Sequence, residues 1–407
     1  MSFIDSYATY ASGNEAPTIF HKWAAISVLS STISRRVWLD SGFYYIYPNL
    51  YIILVGEPAG GKTTAMDIAR RMVQRLDITV APSASTKEAI IQLMAVENEN
   101  SSCVKNFTFD GESRIYTHLS LFASEIVTTL AVGGNPQGFI EFLTDIWDRE
   151  LFEYRTKGGG TDLIQGPYIT ILGCMTPEQT DQMLKQSIIT GGFSRRCIFV
   201  YSLDRGDPVP RPVLTDEQKA AHKYCLEQCK IIRNRSGEFH SGDKANKYFD
   251  AWYYKNYHKR SQPMPAVLKN YLRSKDQLIW KVSMLMALSD DPKCNLEVER
   301  THIERSIALL DEIEPFIVKV FEGTGRNILA DLAAKIVAML EQAKQWVPMK
   351  KVYATMFNDG DRDEIGKALH HLKEVGTVVS ANLTHKSMVV GQVITTKELA
   401  STLKRPG

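Results

Sequence analysis

Leu50-Tyr-Ile-Ile-Leu-Val55 runs without a break into Gly56-Glu57-Pro58-Ala59-Gly60-Gly61-Lys62-Thr63. An uninterrupted apolar run of this kind is how a parallel strand covered on both faces reads. The eight residues after it fit G-x-x-x-x-G-K-[ST], and Thr64 to Leu76 continue as a helix, which is the setting in which that motif grips phosphate. The glycines let the backbone curl so that successive N–H groups face one anion, and the helix N-terminus adds partial positive charge. On this reading Gly56 to Thr64 surround the phosphates of a nucleoside triphosphate. Lys62 neutralises the β and γ oxygens, and the Thr63 hydroxyl ligates Mg²⁺.

Working outward, Leu119-Ser-Leu-Phe-Ala123 is a short apolar strand followed by Ser124-Glu125. A glutamate there is placed to take a proton from an attacking water and to face the metal. The aspartate expected just before it is Ser124. The strand Tyr168-Ile-Thr-Ile-Leu-Gly173 leads to Thr176-Pro177, where Thr176 either senses the γ-phosphate or caps a helix. Gly191-Gly-Phe-Ser-Arg195-Arg196 enters the strand Cys197-Ile-Phe-Val-Tyr201. An arginine at this point stabilises charge on a neighbouring subunit's phosphoryl group, Arg196 being favoured and Arg195 the alternative; a solvated pair is the plain reading.

Further elements fill in around these. Residues 17–34 read as one amphipathic helix, and Val37 to Tyr47 as a strand or hairpin. Ser85-Thr-Lys-Glu88 reads as a capping box opening a helix to about Met94, and 97–114 as a polar surface loop. Phe139 to Trp147 is helical. Leu151 to Leu172 forms a hairpin with its tip at Lys157-Gly-Gly-Gly160. Strands alternating with helices give an α/β domain with a mostly parallel sheet. Four segments follow: an N-terminal helical segment 1–36, a core 37–205, a mainly helical subdomain 213–322, and a domain 328–407. The last has three helices and two short strands, Val378-Val-Ser-Ala and Met388-Val-Val-Gly-Gln-Val-Ile, split by Asn382-Leu-Thr-His-Lys386. That is the layout of a winged helix.

The 407 residues carry 48 Lys and Arg against 46 Asp and Glu, a net +2, so no global basic excess marks a nucleic-acid binder. Six scattered cysteines without a CxxC pair suit a reducing compartment. Neither a signal peptide nor a membrane-length apolar run is expected, which points to a cytoplasmic chain. His222, Cys225 and Cys229 share helical spacing but lack a fourth zinc ligand and read as core.

The phosphate loop, strand-plus-Glu125, hairpin, Thr176 strand and Gly-Phe-Ser-Arg195-Arg196 stand in one order. That order resembles the AAA+ ATPases with a hairpin before the sensor strand. With Arg35-Arg-Val-Trp-Leu39 and Tyr47-Pro-Asn-Leu-Tyr51 ahead of the loop, the chain resembles a family of phage- and mobile-element-encoded helicase/primase-associated ATPases over roughly residues 15–290. The resemblance implies a P-loop NTPase core with a helical lid, ATP and Mg²⁺ as cofactors, and a ring of identical subunits, expected as a hexamer. It also implies Arg155 and Lys157 on a channel hairpin holding single-stranded DNA, and Arg273 as a second nucleotide sensor in the lid. In the winged helix, Lys350, Lys351, Arg362, Lys367, His371 and Lys386 are candidates for duplex or single-strand backbone. The expectation is an ATP-dependent DNA helicase or translocase, with a primase or initiator as possible partner. A helicase loader or initiator ATPase, and an ATP-regulated winged-helix DNA-binding regulator, stay open as alternatives.

Overall fold

A computed structural model describes the chain apart from positions 99, 157–159, 180–191, 203, 263, 265, 323–327, 358, 360, 386–387 and 404–407. The expectations placed on Lys157 and Lys386 therefore lie outside the described residues. The chain packs as two units, Met1–Gly323 and Thr324–Gly407.

Helices α1 (Phe3–Ala11) and α2 (Thr18–Ile33) open the first unit. Of the 16 residues in α2, 13 are buried, so it is a central helix rather than an amphipathic one. Its polar side chains are used internally: Ser30 Oγ donates to Pro48 O (2.7 Å), and Ser31 Oγ lies 2.9 Å from Thr170 Oγ1. Polar groups hidden in this way are tolerated because they are bonded.

Strands β1 (Val37–Asp40), β2 (Tyr45–Ile46) and β3 (Tyr51–Val55) lead to α3 (Lys62–Gln74) and α4 (Lys87–Met94). The N-cap of α4 is Thr86, whose hydroxyl accepts from Ala89 N–H, so the cap falls one residue later than the Ser85 reading. The polar stretch 97–114 is not a loop. It holds β4 (Val104–Phe109) and the start of β5 (Glu112–Ala123), an antiparallel pair turned by Asp110-Gly111. Both turn residues have positive φ (51° and 78°), as a tight type I′ hairpin requires.

After α5 (Ile126–Ala131) and α6 (Pro136–Asp145), β6 (Leu151–Thr156) and β7 (Gly160–Gln165) form a two-stranded hairpin. It ends at Gln165, and β8 (Pro167–Met175) and β9 (Cys197–Tyr201) complete the main sheet, in the order β4-β5-β8-β3-β9. The strands β5, β8, β3 and β9 run parallel, with Ala123 beside Gly173, Val55 beside Met175, and Val55 beside Tyr201. Every residue of β3 and β8 is buried, as a doubly covered parallel sheet demands.

Next come α7 (Asp216–Ile232), β10 (Gly237–Ser241), α8 (Asp243–Tyr257), α9 (Ala266–Asp290), β11 (Glu297–Val298) and α10 (Arg300–Glu322). The segment 213–322 is thus mainly helical, with two short strands among its helices. Strand β10 pairs in parallel with both β1 and β11, giving a second sheet, β11-β10-β1-β2. Val37–Leu39 is paired there with residues two hundred positions later, a long-range partnership that local sequence reading cannot supply.

The second unit contains α11 (Ile328–Ala343), β12 (Val347–Pro348), α12 (Met349–Thr355), α13 (Arg362–Glu374), β13 (Val378–His385), β14 (Met388–Thr396) and α14 (Lys397–Ala400). Strands β13 and β14 are longer than the short pair expected, because Asn382–His385 stay paired, with a register shift between Leu383 and Thr384, rather than splitting them. A reciprocal capping box, Asp361 with Glu364, opens α13. Among the described residues no helix is long and apolar enough to cross a membrane.

Candidate functional site

The loop Gly56–Gly61 springs from the C-terminal end of β3 into α3. Gly61 has φ +77°, and a Cβ there would lie 2.5 Å from Ala16 Cα, so only glycine fits. Gly56 is similarly confined, 3.0 Å from Ser202 O at its absent Cβ. Lys62 Nζ donates to the carbonyls of Gly56 and Glu57, both at 2.6 Å, holding the ammonium at the centre of the loop. Burial pushes Lys62 below the usual lysine range, and Cys174, Glu57 and Glu178 oppose that push. Burial also raises the Tyr201 hydroxyl, and the same two carboxylates add to it.

A cleft of about 360 Å³ opens over this loop, lined by Gly60, Gly61, Lys62, Thr63 and Thr64. Its far walls are Asn14–Ala16 from the α1–α2 turn and Val209 with Pro212 from the segment before α7. These walls are absent from the sequence reading. They are pinned over long range: Gln218 Nε2 donates to Ser12 O (2.6 Å), Gly206 N–H to Glu15 O (3.0 Å), and Val209 N–H to Glu15 Oε1 (3.2 Å). Asn14 Oδ1 in turn lies 3.2 Å from Nε2 of buried His21, which burial lowers to a pKa of about 4.

Glu125 and Thr176 follow β5 and β8 at the same end of the sheet as Gly56, as the pairings of Ala123 with Gly173 and Val55 with Met175 require. Glu125 is exposed, and its Oε2 accepts from Thr128 Oγ1 at 2.9 Å. Thr176 takes the helix-capping geometry. Its N–H donates to Gln179 Oε1 (3.0 Å), and its Oγ1 accepts from Gln179 N–H (3.4 Å). Glu178, which the sequence reading passed over, brings a carboxylate's influence to bear on Lys62 from the same turn.

The arginines lie at the opposite end. Cys197 pairs with Tyr51, so Arg196 sits level with Leu50, six residue steps from Gly56, or about 20 Å at roughly 3.3 Å per residue. Arg195 is exposed. Arg196 is partly buried, donates from Nη1 to Gly192 O (2.7 Å), and keeps a buried Nε without a partner. Burial and then Arg195 lower its pKa, against Asp148. Arg273 is placed here too: with Arg195, Arg196, Asp148 and Lys281 it lines a cleft of about 210 Å³. It therefore joins the arginine pair and not the Gly56–Gly61 loop of its own chain. A second hollow of about 750 Å³ adjoins Arg196, walled by α6 and Asp148–Leu151.

Lys281 organises this end. Fully buried, it donates to Tyr47 O (2.7 Å), Asn49 Oδ1 (2.7 Å) and Asp148 (3.2 Å), and stands 4.5 Å from the Trp147 ring centre. Arg35 is buried beside it, with Nη1 donating to Pro167 O (2.7 Å), Nη2 to Glu150 (2.7 Å), and its guanidinium 3.7 Å from the Tyr47 ring centre. The Arg35–Leu39 and Tyr47–Tyr51 segments thus build the floor under the arginine cluster.

A scan against models of known protein families and a search of characterised proteins each return no match. The remaining expected residues are scattered. Arg155 is exposed on β6 opposite Thr161, near the hairpin tip. Lys350 and Lys351 on α12, and Arg362 and Lys367 on α13, are exposed in the second unit. Cys225 and Cys229 are fully buried in the core, whereas His222 stacks on Tyr10 at 4.5 Å. Among the described residues no group of three His, Cys, Asp or Glu side chains is placed to hold a metal by itself.

Proposed function

We propose that this chain is an ATP-dependent DNA helicase or translocase, of the kind encoded by phages and mobile elements, working as a ring of identical subunits. The observation that carries the reading is the separation of its charges: a phosphate-type loop at one sheet end and, about 20 Å away at the other, an arginine cluster in which the buried Arg196 Nε has no partner. An arginine that far off cannot serve its own loop. It can serve the loop of a neighbour, which is how a ring completes each site between two subunits.

The donor set fits a triphosphate. The cleft presents the Gly60–Thr64 backbone and the Lys62 ammonium, and Thr63 lines it beside them. Mg²⁺ would be held by the Thr63 hydroxyl together with phosphate oxygens, and supplies neutralisation of their charge. The chain's own residues do the rest. Lys62 leaves the Gly56 and Glu57 carbonyls for β and γ oxygens. Glu125 releases Thr128 and accepts a proton from the attacking water. The neighbour's arginine pair steadies the γ-phosphoryl as ADP departs. Hydrolysis then moves the β6–β7 hairpin, whose Arg155 holds a strand by its phosphates, while the second unit, read as a winged helix, offers Lys350, Lys351 and Lys367 to DNA.

Ser124 favours a second reading, a helicase loader that hydrolyses ATP without unwinding, because the carboxylate that commonly supports the metal is missing there. Strand displacement on a forked duplex with ATP separates the two. The helicase reading expects displacement by the wild type and none by Lys62→Ala or Arg155→Ala. Hydrolysis by the wild type without displacement overturns it in favour of the loader.

A further inference from the structure

The feature left over by the nucleotide site is the outer face of α8 and the single turn after it. Its sequence, Trp252-Tyr-Tyr-Lys255-Asn-Tyr257-His-Lys259, interleaves rings and cations. A helix that merely packs would turn its rings inward. Here Phe249 is the anchor, with its ring centre 4.7 Å from Trp280 of α9 and 5.8 Å from Trp252. From that anchor a chain of ring contacts climbs out to solvent: Tyr253 to Tyr257 at 5.7 Å, and Tyr253 to Tyr254 edge-on at 6.0 Å. Tyr254 ends 73% exposed and Tyr257 50% exposed. Ring-on-ring support holds these two side chains upright, where flexible residues would lie down on the surface.

Asp250 is exposed on the rings' own face, one turn before Tyr254, and the cations stand on the flank toward Trp252. Lys255 and Lys259, one helical turn apart, are exposed, and no acid among the described residues pairs with either. They form the rim of a cleft of about 290 Å³ whose wall is Tyr248 and Trp252. The two carboxylates on its α10 side, Asp311 and Glu314, are already engaged by buried Lys275, the former at 2.5 Å. Lys275 offsets one of those two negative charges, so three ammoniums against two carboxylates leave the cleft lining at a net +1, carried by the rim.

We propose that this ridge binds single-stranded nucleic acid. Bases stack on Tyr254 and Tyr257, phosphates meet Lys255 and Lys259, and the Tyr248–Trp252 cleft takes an extruded base. A duplex hides its base faces, so rings presented in this way select an unpaired strand. The site is separate from the phosphate loop and needs no nucleotide, so it stands or falls independently of the ATP reading.

The test is fluorescence anisotropy of labelled dT20 with the full chain, without ATP, from 50 to 200 mM salt. Tyr254→Ala with Tyr257→Ala is expected to weaken Kd at least about 10-fold, since stacking contributes roughly 1–3 kcal/mol per base. Tyr254→Phe with Tyr257→Phe is expected to retain binding, because a phenyl ring still stacks. Lys255→Glu with Lys259→Glu is expected to flatten the log–log salt slope by about 1.4, two phosphates at roughly 0.7 each. Lys62→Ala is expected to bind dT20 like the wild type. Circular dichroism and Tm confirm that each variant is folded. Alanine variants binding within twofold of wild type would overturn the proposal. So would a wild type that does not bind dT20, a result that also counts against the strand-holding Arg155 hairpin, whereas unchanged alanine variants count against the ridge alone.

Discussion

The two ends of the main sheet are built from opposite electrostatic materials. At the C-terminal end, main-chain donors and one centred lysine line a cleft with Glu15 in its wall, and Glu57 and Glu178 bring their charge to bear on that lysine. At the N-terminal end, Arg195, Arg196, Arg273 and Lys281 line a cleft with two acids, Asp148 and Asp276, and Asp148 is the one paired with Lys281. Among the described residues that line the first end's cleft, Lys62 is the one cation. The second has cations beyond its own needs, including a buried Nε with no acceptor. Each end supplies what the other lacks, and the strands hold them too far apart to meet within one chain.

If that division is right, damage at the two ends must look different. The largest effect is expected for Arg196→Ala: turnover of ATP falls roughly 10³-fold, the lower range for an arginine acting on a transferring phosphoryl group, while ATP affinity stays within about twofold. Steady-state hydrolysis paired with equilibrium binding of a fluorescent ATP analogue checks the split. A parallel loss of affinity would place Arg196 at its own nucleotide and remove the contrast between the ends.

Lys281→Met attacks the floor of the arginine end without touching an arginine. It strips a donor from Asn49, Tyr47 O and Asp148 at once, and about 3 kcal/mol of stability is expected to go with it. Urea unfolding reads the loss. An unchanged midpoint would show that the floor is held by Arg35 alone. Lys62→Ala attacks the other end: nucleotide affinity is expected to fall roughly 100-fold, from about 2.7 kcal/mol of charge-assisted bonding, with the Tm nearly unmoved.

Acid is expected to weaken both ends equally. Each holds a buried histidine kept neutral by desolvation, His21 at about 4 by the loop and His118 at about 3 beside Tyr168. The folded values lie below the unfolded value near 6.5, so the unfolded chain takes up protons first as pH falls. Stability is therefore full above about 6.5 and is lost downward toward the folded values. Between pH 7.5 and pH 5 each histidine contributes about 2 kcal/mol of loss. His21→Gln is expected to remove half of that dependence in urea titrations at the two pH values; a slope unchanged by the substitution would refute the assignment.

What could be read from the sequence was whatever is contiguous. Gly56 to Thr63 carries its strand, turn and helix in one stretch, and the structure places that stretch between β3 and α3. Strand β9 likewise declares itself by an unbroken apolar run, and β8 by one interrupted at Thr170. The cleft walls at Asn14–Ala16 and Val209–Pro212 did not, because Gln218 reaches back to Ser12 across more than two hundred residues to set them. Strand β10 was hidden for the same reason, its partner being Val37–Leu39. Strand β4 was legible and overlooked: Asp110-Gly111 is a hairpin signal, obscured by the polar alternation of an edge strand. Arg273 looked like a lid residue, and only the packing of α9 against Arg195 and Arg196 shows which end it joins.

The most direct test mixes two broken proteins. Lys62→Ala keeps the arginine end and loses the loop, whereas Arg195→Ala with Arg196→Ala keeps the loop and loses the arginines. Each alone is expected to hydrolyse almost no ATP. Mixed in equal amounts, they are expected to recover a measurable fraction of wild-type hydrolysis at interfaces that join an intact loop to an intact arginine pair. A mixture that stays inactive, or an arginine variant that hydrolyses ATP alone at the wild-type rate, would contradict a site shared between subunits.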